Sequence, residues 1–395
     1  MADVTDSTAD STGAVAEEQE ILILDSIERF LEREVAPYAH DLEQEDAYPE
    51  DIVEGMKSLG LFGAIIPEEY GGLGLSASTY AKIVERMSRV WMSITGIFNS
   101  HLIMACAVIR YGTDAQKQEF LPKFATGALR GGLALTEPDC GTDLQAIRTA
   151  AKRDGDDYVI NGTKTWISNG IYGQIFALLV KTDPGASPRH RGMSLFLAEK
   201  GEGFNVSRKL HKLGYKGIDS AELQFDDFRV PTARLISGEE GRGLQHALSG
   251  LELGRINVAA RGIGVAQAAL DEAVKYSQVR KTFGQPICEH QSIQIKLAEM
   301  ATRVEAGKLL IDQAANAFDR GERCDMEAGM AKLYGSEAAI FCSLESMRIH
   351  GAYGYSTEFN VERLYRDAPL MAIGEGTNEL QRILIARQLI ARNPV

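Results

Sequence analysis

The chain has 395 residues, 45% of them hydrophobic and 25% charged, enough to bury a sizeable core and to divide into two or three compact units. Its formal net charge of −13 argues against nucleic acid and anionic membrane surfaces as partners of the whole molecule, though not against a local basic patch for a phosphorylated ligand. Five cysteines, an odd number with none close to another in sequence, fit reduced thiols better than a disulfide framework or a zinc site.

Residues 1–17 read as an acidic, polar, disordered tail with neither a signal-peptide core nor Arg-rich transit character. No run approaches the ~18 uninterrupted apolar residues of a membrane span. No stable membrane insertion is therefore expected, and a bacterial cytoplasm is the expected location.

Residues 18–130 form a first, helical domain. Ile21, Leu22, Leu24, Ile27, Phe30 and Leu31 recur at helical spacing with acids between them. Pro67-Glu68-Glu69-Tyr70-Gly71-Gly72 signals a loop, and helices resume over Tyr80–Met87, His101–Tyr111 and Gln116–Phe124. Residues 131–237 change period. Tyr158–Trp166 reads as two strands joined in a hairpin at Asn161-Gly162. Phe176–Val180, Met193–Leu197 and Ala221–Phe225 are further short strands, so this middle domain is a small barrel or sandwich. Residues 238–395 are helical again, with long amphipathic runs over Gly243–Val279, His290–Phe318, Asp325–His350 and Glu379–Ile390 that predict an antiparallel four-helix bundle.

Several chemistries lack their signatures. No Gly-Lys-[Ser/Thr] completes a P-loop, and no Gly-x-Ser-x-Gly elbow is present. Gly262-Ile263-Gly264 has the start of a dinucleotide fingerprint but follows helical text rather than a strand. The seven histidines include no HExxH, so no metal site is expected.

Three segments carry more information together than apart. The first is Leu133 to Asp143 (LALTEPDCGTD), followed by Asn161 to Asn169 (NGTKTWISN). The second is Arg280-Lys281-Thr282-Phe283-Gly284-Gln285-Pro286, followed by His290-Gln291. The third is His350-Gly351-Ala352-Tyr353-Gly354-Tyr355, then Tyr365-Arg366-Asp367, then Gly374-Glu375-Gly376-Thr377-Asn378-Glu379-Leu380-Gln381-Arg382. In this order and spacing they resemble the acyl-CoA dehydrogenase family from about residue 19 to the C-terminus. The resemblance implies a mostly α fold with a central β domain: an N-terminal helical domain, a β-barrel-like middle domain and a C-terminal four-helix bundle. It implies FAD between the middle and C-terminal domains, reaching a neighbouring subunit, and a homotetramer built as a dimer of dimers.

The implied reaction removes two hydrogens from adjacent carbons of an acyl thioester. Glu375 resembles the family's base for the α-proton, while the β-hydride goes to the flavin. Burial is expected to raise the pKa of Glu375, and Gly374 and Gly376 on either side allow close backbone approach. Its own backbone N–H is expected at the thioester oxygen. By the same resemblance Leu133, Leu135, Thr136, Gly141, Thr142, Trp166, Ile167 and Ser168 are flavin contacts of the middle domain, with Trp166 against the ring system and Thr142 also near the acyl-CoA. Arg280, Thr282, Phe283 and Gln291 resemble the segment that crosses to a neighbour's FAD, with the Arg280 fork suited to its pyrophosphate. Arg348, Gly351 and Ala352 resemble an adenosine-side contact, and Thr377 and Glu379 a further flavin contact. Thr377 equally suits an N-cap. Glu252 and Arg255 either lie beside the CoA or form a structural ion pair on one helix face.

Family members acting on straight chains often have Tyr immediately before the base. Gly374 in that place implies a substrate pocket that accepts a branched, cyclic or bulky acyl group, unless a neighbouring side chain fills the space. Residues near Thr95–Met104 are expected to help set the acyl length. The expected electron acceptor is an electron-transferring flavoprotein. Alternatives are an acyl-CoA oxidase, which usually carries an extra C-terminal domain, or a dehydrogenase for a carrier-protein-bound acyl group. A non-catalytic scaffold is disfavoured by the presence of Glu375, Trp166 and Arg280, and a flavin monooxygenase on the same fold by Glu375. The pathway stays open between fatty-acid β-oxidation, other degradations and biosynthesis.

Overall fold

The computed structural model describes the backbone of residues 7–395 and side chains from residue 18 onward. The first residues of the acidic tail expected over 1–17 lie outside the described residues, and α1 (Ser7–Phe30) takes up the chain from Ser7. The protein has an N-terminal helical part, a central sheet and a C-terminal helical part.

After α1 a short π-helical turn, Leu31–Val35, leads into α2 (Ala36–Gln44) and α3 (Glu50–Ser58). The core helix is α4 (Ala77–Tyr111). Ser76 caps it by accepting from the Thr79 N–H at 3.0 Å. The two helical stretches expected at Tyr80–Met87 and His101–Tyr111 are joined within it, interrupted only at Trp91 (φ −156°, ψ 103°). Among the described residues α4 alone is long and apolar enough to cross a membrane, and most of its apolar stretch is buried inside the fold. Thr113 and Gln116 close a capping box on α5 (Asp114–Ala125), and Gln116 Nε2 reaches on to the Ala233 and Leu235 carbonyls beyond the sheet.

The sheet has seven strands: β1 (Gly131–Ala134), β2 (Ala150–Asp154), β3 (Asp157–Ser168), β4 (Ile175–Lys181), β5 (Met193–Glu199), β6 (Phe204–Lys209) and β7 (Ser220–Pro231). Their order is β1-β4-β2-β3-β7-β6, with β5 paired to β4. The hairpin expected at Asn161-Gly162 is not formed. β3 runs on through both residues, and the chain reverses at Gly155-Asp156, where Asp154 pairs with Asp157. The Asn-Gly pair serves a different purpose. Asn161 exchanges two hydrogen bonds with Asp227, which bulges out of β7 opposite it. Gly162 packs so closely that a Cβ there would stand 2.6 Å from Thr149 Cα.

The run expected over Gly243–Val279 is two helices, α6 (Gly243–Leu248) and α7 (Leu251–Val279). Two two-residue strands, β8 (Lys281–Thr282) and β9 (Gln285–Pro286), form a small hairpin before α8 (Gln291–Asp319) and α9 (Asp325–His350). A further helix that periodicity did not show, α10 (Val361–Ile373), carries Pro369 and precedes α11 (Asn378–Arg392).

α7 lies between α4 and α9, and its small residues let it do so. A Cβ on Gly262 would stand 2.5 Å from the Gly335 carbonyl on α9, and one on Gly264 would stand 2.4 Å from the Glu85 carbonyl on α4. These are the glycines of the incomplete dinucleotide fingerprint, and they are helix-crossing contacts. At the other end of the fold Arg366 on α10 ties α2 to the bundle. It donates to both oxygens of the fully buried Glu43 and to Glu362. That contact gives the Tyr365-Arg366-Asp367 segment a structural job.

Candidate active site

Glu375 sits on the connection between α10 and α11. α10 ends when the Gly374 N–H reaches the Leu370 carbonyl at 2.7 Å. Glu375 and Gly376 then both take left-handed backbone, with φ of +53° and +88°. For a glutamate this conformation is strained, by about 1 kcal/mol or more, and it persists only where neighbours over-determine it. Here Lys332 Nζ, fully buried on α9, donates to the Gly376 carbonyl at 2.7 Å and to Asn378 Oδ1 at 3.0 Å. Gln381 Nε2 adds a second donor to the same carbonyl at 3.2 Å. Thr377 caps α11 through the Leu380 N–H at 3.4 Å, so the N-cap reading of that residue holds.

The turn aims the Glu375 carboxylate at α4 and α7. Oε1 accepts from Asn99 Nδ2 at 3.0 Å and lies 3.4 Å from Arg261 Nη2, while the buried Oε2 has no partner. Burial raises the Glu375 pKa above the ordinary carboxylate value, against the opposing pull of Arg261, Lys332, the Asn99 hydrogen bond and Arg255. Burial in turn draws Lys332 down to about 8. Sequence reading did not single out Arg261, Lys332, Asn257, Tyr80 or Tyr215. Asn99 falls inside the segment expected to set acyl length.

The remaining expected residues fall into two groups. Thr136, Gly141 and Trp166 line one open cleft of about 530 Å³ along the sheet. Thr165 and Trp166 together oppose Glu222 in a bulge of β3, and this turns the indole outward, leaving it 58% exposed. Trp166 is therefore not a core aromatic. The Thr136 loop is held by a buried ion pair, Lys164 Nζ to Glu137 Oε1 at 2.8 Å, with Lys164 also on the Leu135 carbonyl. Leu133 and Leu135 are partly buried against the α4–α5 core, and Thr142 is exposed beside the cleft. The Ile167 side chain is in the core, so it offers the cleft no side-chain contact, and Ser168 pairs with Ser220 across the sheet.

Arg280, Thr282, Phe283, Gly351 and Ala352 line a second cleft, also about 530 Å³, with Gln291 exposed at the start of α8 beside it. Thr282 Oγ1 is 2.9 Å from His290 Nε2, and Phe283 at φ +49° is 98% exposed. Arg348 is engaged by Glu345, and Glu379 is exposed at the start of α11, 3.9 Å from Arg382. The two clefts share no residue, and Glu375 lines neither. Near the base, burial raises the Glu252 carboxyl, with Arg255 among the groups opposing it, and the buried Arg255 Nε has no partner. Among the described residues no cluster of three His, Cys, Asp or Glu is placed to hold a metal.

Comparison with known proteins adds to this geometry. Models for the N-terminal, middle and C-terminal domains of acyl-CoA dehydrogenase match residues 17–128, 132–228 and 241–390. An acyl-CoA dehydrogenase of Bacillus subtilis (strain 168) is 39% identical over 375 residues, 94% of this chain and 98% of its own. The structure of butyryl-CoA dehydrogenase from Megasphaera elsdenii aligns with a TM-score of 0.91 at 34% identity, covering 94% of this chain and 98% of that one. A chain solved in work on the electron transferring flavoprotein of Acidaminococcus fermentans and flavin-based electron bifurcation aligns equally well, with a TM-score of 0.91 at 36% identity and the same coverage.

Proposed function

Because the chain belongs to the acyl-CoA dehydrogenase family, we propose that it oxidises an acyl-CoA thioester to the trans-2-enoyl-CoA with Glu375 as the base. The observation that carries this reading is the Glu375 carboxylate itself. It is fixed on a strained turn and raised in pKa by burial, and one of its oxygens is buried without a partner. Such an oxygen has lone pairs that no protein donor occupies, as a base for a C–H proton needs.

The residues fit FAD. Trp166 and Phe283 hold two large aromatic faces uncovered, both at positive φ, and the Thr136 hydroxyl and Arg280 stand in the same clefts. A flat cofactor with a pyrophosphate matches that donor set. FAD held by these residues would supply a hydride acceptor for the β-carbon, which with the α-proton taken by Glu375 accounts for both hydrogens and the electron pair lost when the C=C bond forms.

The other steps belong to the chain. Glu375 takes the α-proton and becomes neutral, a change that burial favours. The backbone N–H of Glu375 is the assigned donor to the thioester oxygen, stabilising the negative charge that grows there as the proton leaves. Lys332 keeps the turn in place through the Gly376 carbonyl. Arg255 lies on the first turns of α7, beside the base, and is assigned with Glu252 to the thioester side. Gly374 leaves space near the α-carbon. A Cβ there meets only Leu370, at 3.3 and 3.9 Å, which supports a pocket that admits an α-branch.

Two clefts without a common residue are what a cofactor site shared between copies needs, which supports assembly of more than one copy, the dimer of dimers among them. The similarity to a chain solved in work on an electron transferring flavoprotein supports such a flavoprotein as electron acceptor. The test is an anaerobic visible spectrum of the purified protein during titration with a panel of acyl-CoAs, with Glu375→Gln alongside. Bleaching of wild type by one thioester class, and an inert variant, is the expected result. A protein that carries no flavin, or whose flavin no thioester reduces, overturns the reading.

A further inference from the structure

The side of Glu375 that faces α4 and α7 is polar to an extent that a hydrocarbon chain does not need. Arg261 is 5% exposed, about two turns along the same face of α7 from Gly254. Its Nε donates to Asn257 Oδ1 at 2.5 Å, and its Nη1 donates to the Tyr215 hydroxyl at 3.0 Å. Asn257 Nδ2 donates to the Tyr80 hydroxyl at 2.8 Å, and Tyr80 donates to Asn99 Oδ1 at 3.0 Å. Asn99 then donates to Glu375 Oε1, which is the atom nearest Arg261 Nη2. The five side chains Glu375, Asn99, Tyr80, Asn257 and Arg261 thus close a ring, and its longest link is the 3.4 Å from guanidinium to carboxylate.

A buried guanidinium is stable only when paired, and an apolar acyl chain laid against it would add to its desolvation without adding a partner. Three cations, Arg261, Lys332 and Arg255, lower the pKa of the single Glu375 carboxylate between them. Lys332 also faces Glu337 and Glu379, and Arg255 faces Glu252 and Asp325, whereas among the described residues Arg261 pairs with Glu375 alone, a partner that becomes neutral when it takes the α-proton. We infer that Arg261 is a substrate-binding residue, and that the acyl group carries a second, terminal carboxylate: the substrate is a short dicarboxylic acid joined to the carrier thiol at one end. This rests on the acyl thioester dehydrogenase reading above and names its substrate class.

The distances also limit the length. The α-carbon must come within hydrogen-bonding reach of a Glu375 oxygen, ~3 Å. A carboxylate paired with Arg261 stands about 2.8 Å from its nitrogens. Arg261 Nη2 is 3.4 Å from Oε1, so the three distances laid end to end allow at most ~9 Å between the α-carbon and the terminal carboxylate. At ~1.3 Å of advance per C–C bond this limits the acyl chain to about eight carbons, so the acid is a short one. Binding also changes the base. A substrate carboxylate that draws Arg261 away from Glu375 removes one of the charges that hold its pKa down, so the correct substrate strengthens the base that attacks it.

The experiment compares glutaryl-CoA and succinyl-CoA with pentanoyl-CoA and butyryl-CoA on the flavin-loaded protein. It measures kcat/KM, and dissociation constants by calorimetry, in wild type, Arg261→Gln and Arg261→Lys. Wild type is expected to favour one of the dicarboxylic thioesters by about tenfold or more in both quantities, the scale of one charge-assisted hydrogen-bonded pair. Arg261→Gln is expected to abolish that preference, Arg261→Lys to restore part of it, and the acid limb of the pH profile with butyryl-CoA to move upward in Arg261→Gln. A wild type that prefers the neutral chains overturns the inference whatever the variants do, and so does a preference unchanged in Arg261→Gln. If the flavin is reduced by neutral thioesters and not by dicarboxylic ones, this inference falls and the dehydrogenase reading stands. If no thioester reduces it, the dehydrogenase reading falls, and equal binding of both thioester classes then removes this inference as well.

Discussion

Gly254 on α7 and Glu375 on the α10–α11 turn occupy adjoining space: a Cβ at position 254 would stand 2.4 Å from Glu375 Oε2. The base fits only because α7 presents no side chain there. Gly254→Ala should displace the carboxylate by several tenths of an ångström while leaving its chemistry intact. We expect kcat to fall about tenfold to a hundredfold, as for other small misplacements of a reacting group. Flavin content and Tm should stay close to wild type, because alanine favours an interior helical position over glycine. Rapid-mixing measurement of flavin reduction checks this. A full-speed variant would show that the carboxylate reaches its substrate from another position.

The pH dependence follows from the partners of Glu375. The base works when ionised, so kcat/KM should fall toward acid pH, along a limb lying above the ordinary carboxylate range because burial raises the group. The Asn99 hydrogen bond favours the ionised form. Asn99→Ala therefore moves that limb upward, by about one pH unit on the scale of a hydrogen bond to a charged group. A pH profile of kcat/KM, with flavin content measured at each pH, decides it; a downward shift would contradict the assignment.

The ion pair Lys164–Glu137 is buried on both sides, with side chains 0% and 6% exposed. Glu137 also accepts the Arg148 and Thr149 N–H groups, so one carboxylate holds a lysine and the loop that carries Thr136. Glu137→Leu leaves the lysine ammonium with the Leu135 carbonyl alone, and should cost about 3–5 kcal/mol of stability. Flavin should be retained less well, since Thr136 stands on the loosened loop. Denaturant unfolding and the ratio of visible to ultraviolet absorbance measure the two effects separately.

Asp367 is buried, accepts the Tyr215 N–H at 2.6 Å and is pushed up to about 6 by burial. Its ordinary value is 3.8, so between about pH 4 and 6 the folded protein holds a proton that the unfolded chain has lost. Stability from this group is therefore present below that window and is lost as pH rises through it. Asp367→Asn, which keeps an oxygen acceptor for the Tyr215 N–H, should be more stable than wild type at pH 7, by about 2 kcal/mol. The advantage should vanish near pH 4. Chemical denaturation at both pH values tests the sign.

Much of the site was legible where local text and chemistry coincide. The flanked Gly374-Glu375-Gly376 turn and the cap at Thr377 could be read directly. Trp166 could be singled out by resemblance, though its outward face depends on a bulge that strand periodicity does not encode. The expected Asn-Gly hairpin failed because a strong turn pair also suits a crowded strand crossing, where Gly162 lies against Thr149 and Asn161 fills the gap opposite a bulge. α10 was hidden by its short length and by Pro369 inside it. Arg261 was missed for a different reason. Its partners Tyr215 and Glu375 lie 46 and 114 residues away in sequence, and nothing local announces them. The available signal was a charge in the small-residue stretch Val258-Ala259-Ala260-Arg261-Gly262, where a helix has no wet face to offer it.

Along β3, Tyr158, Ile160 and Lys164 point into the protein, all at even numbers, yet past Lys164 it is Thr165 and Ile167 that are buried and Trp166 that faces out. The extra residue in the bulge opposite Glu222 switches the phase of the strand at that point. A deletion or insertion of a single residue between Lys164 and Ile167 would exchange the two, driving an indole into the core and an isoleucine to the cleft. Over this stretch the spacing of the chain is as tightly constrained as its composition: substitutions can be accommodated one at a time, but a change of length rewrites which half of the strand meets the cleft.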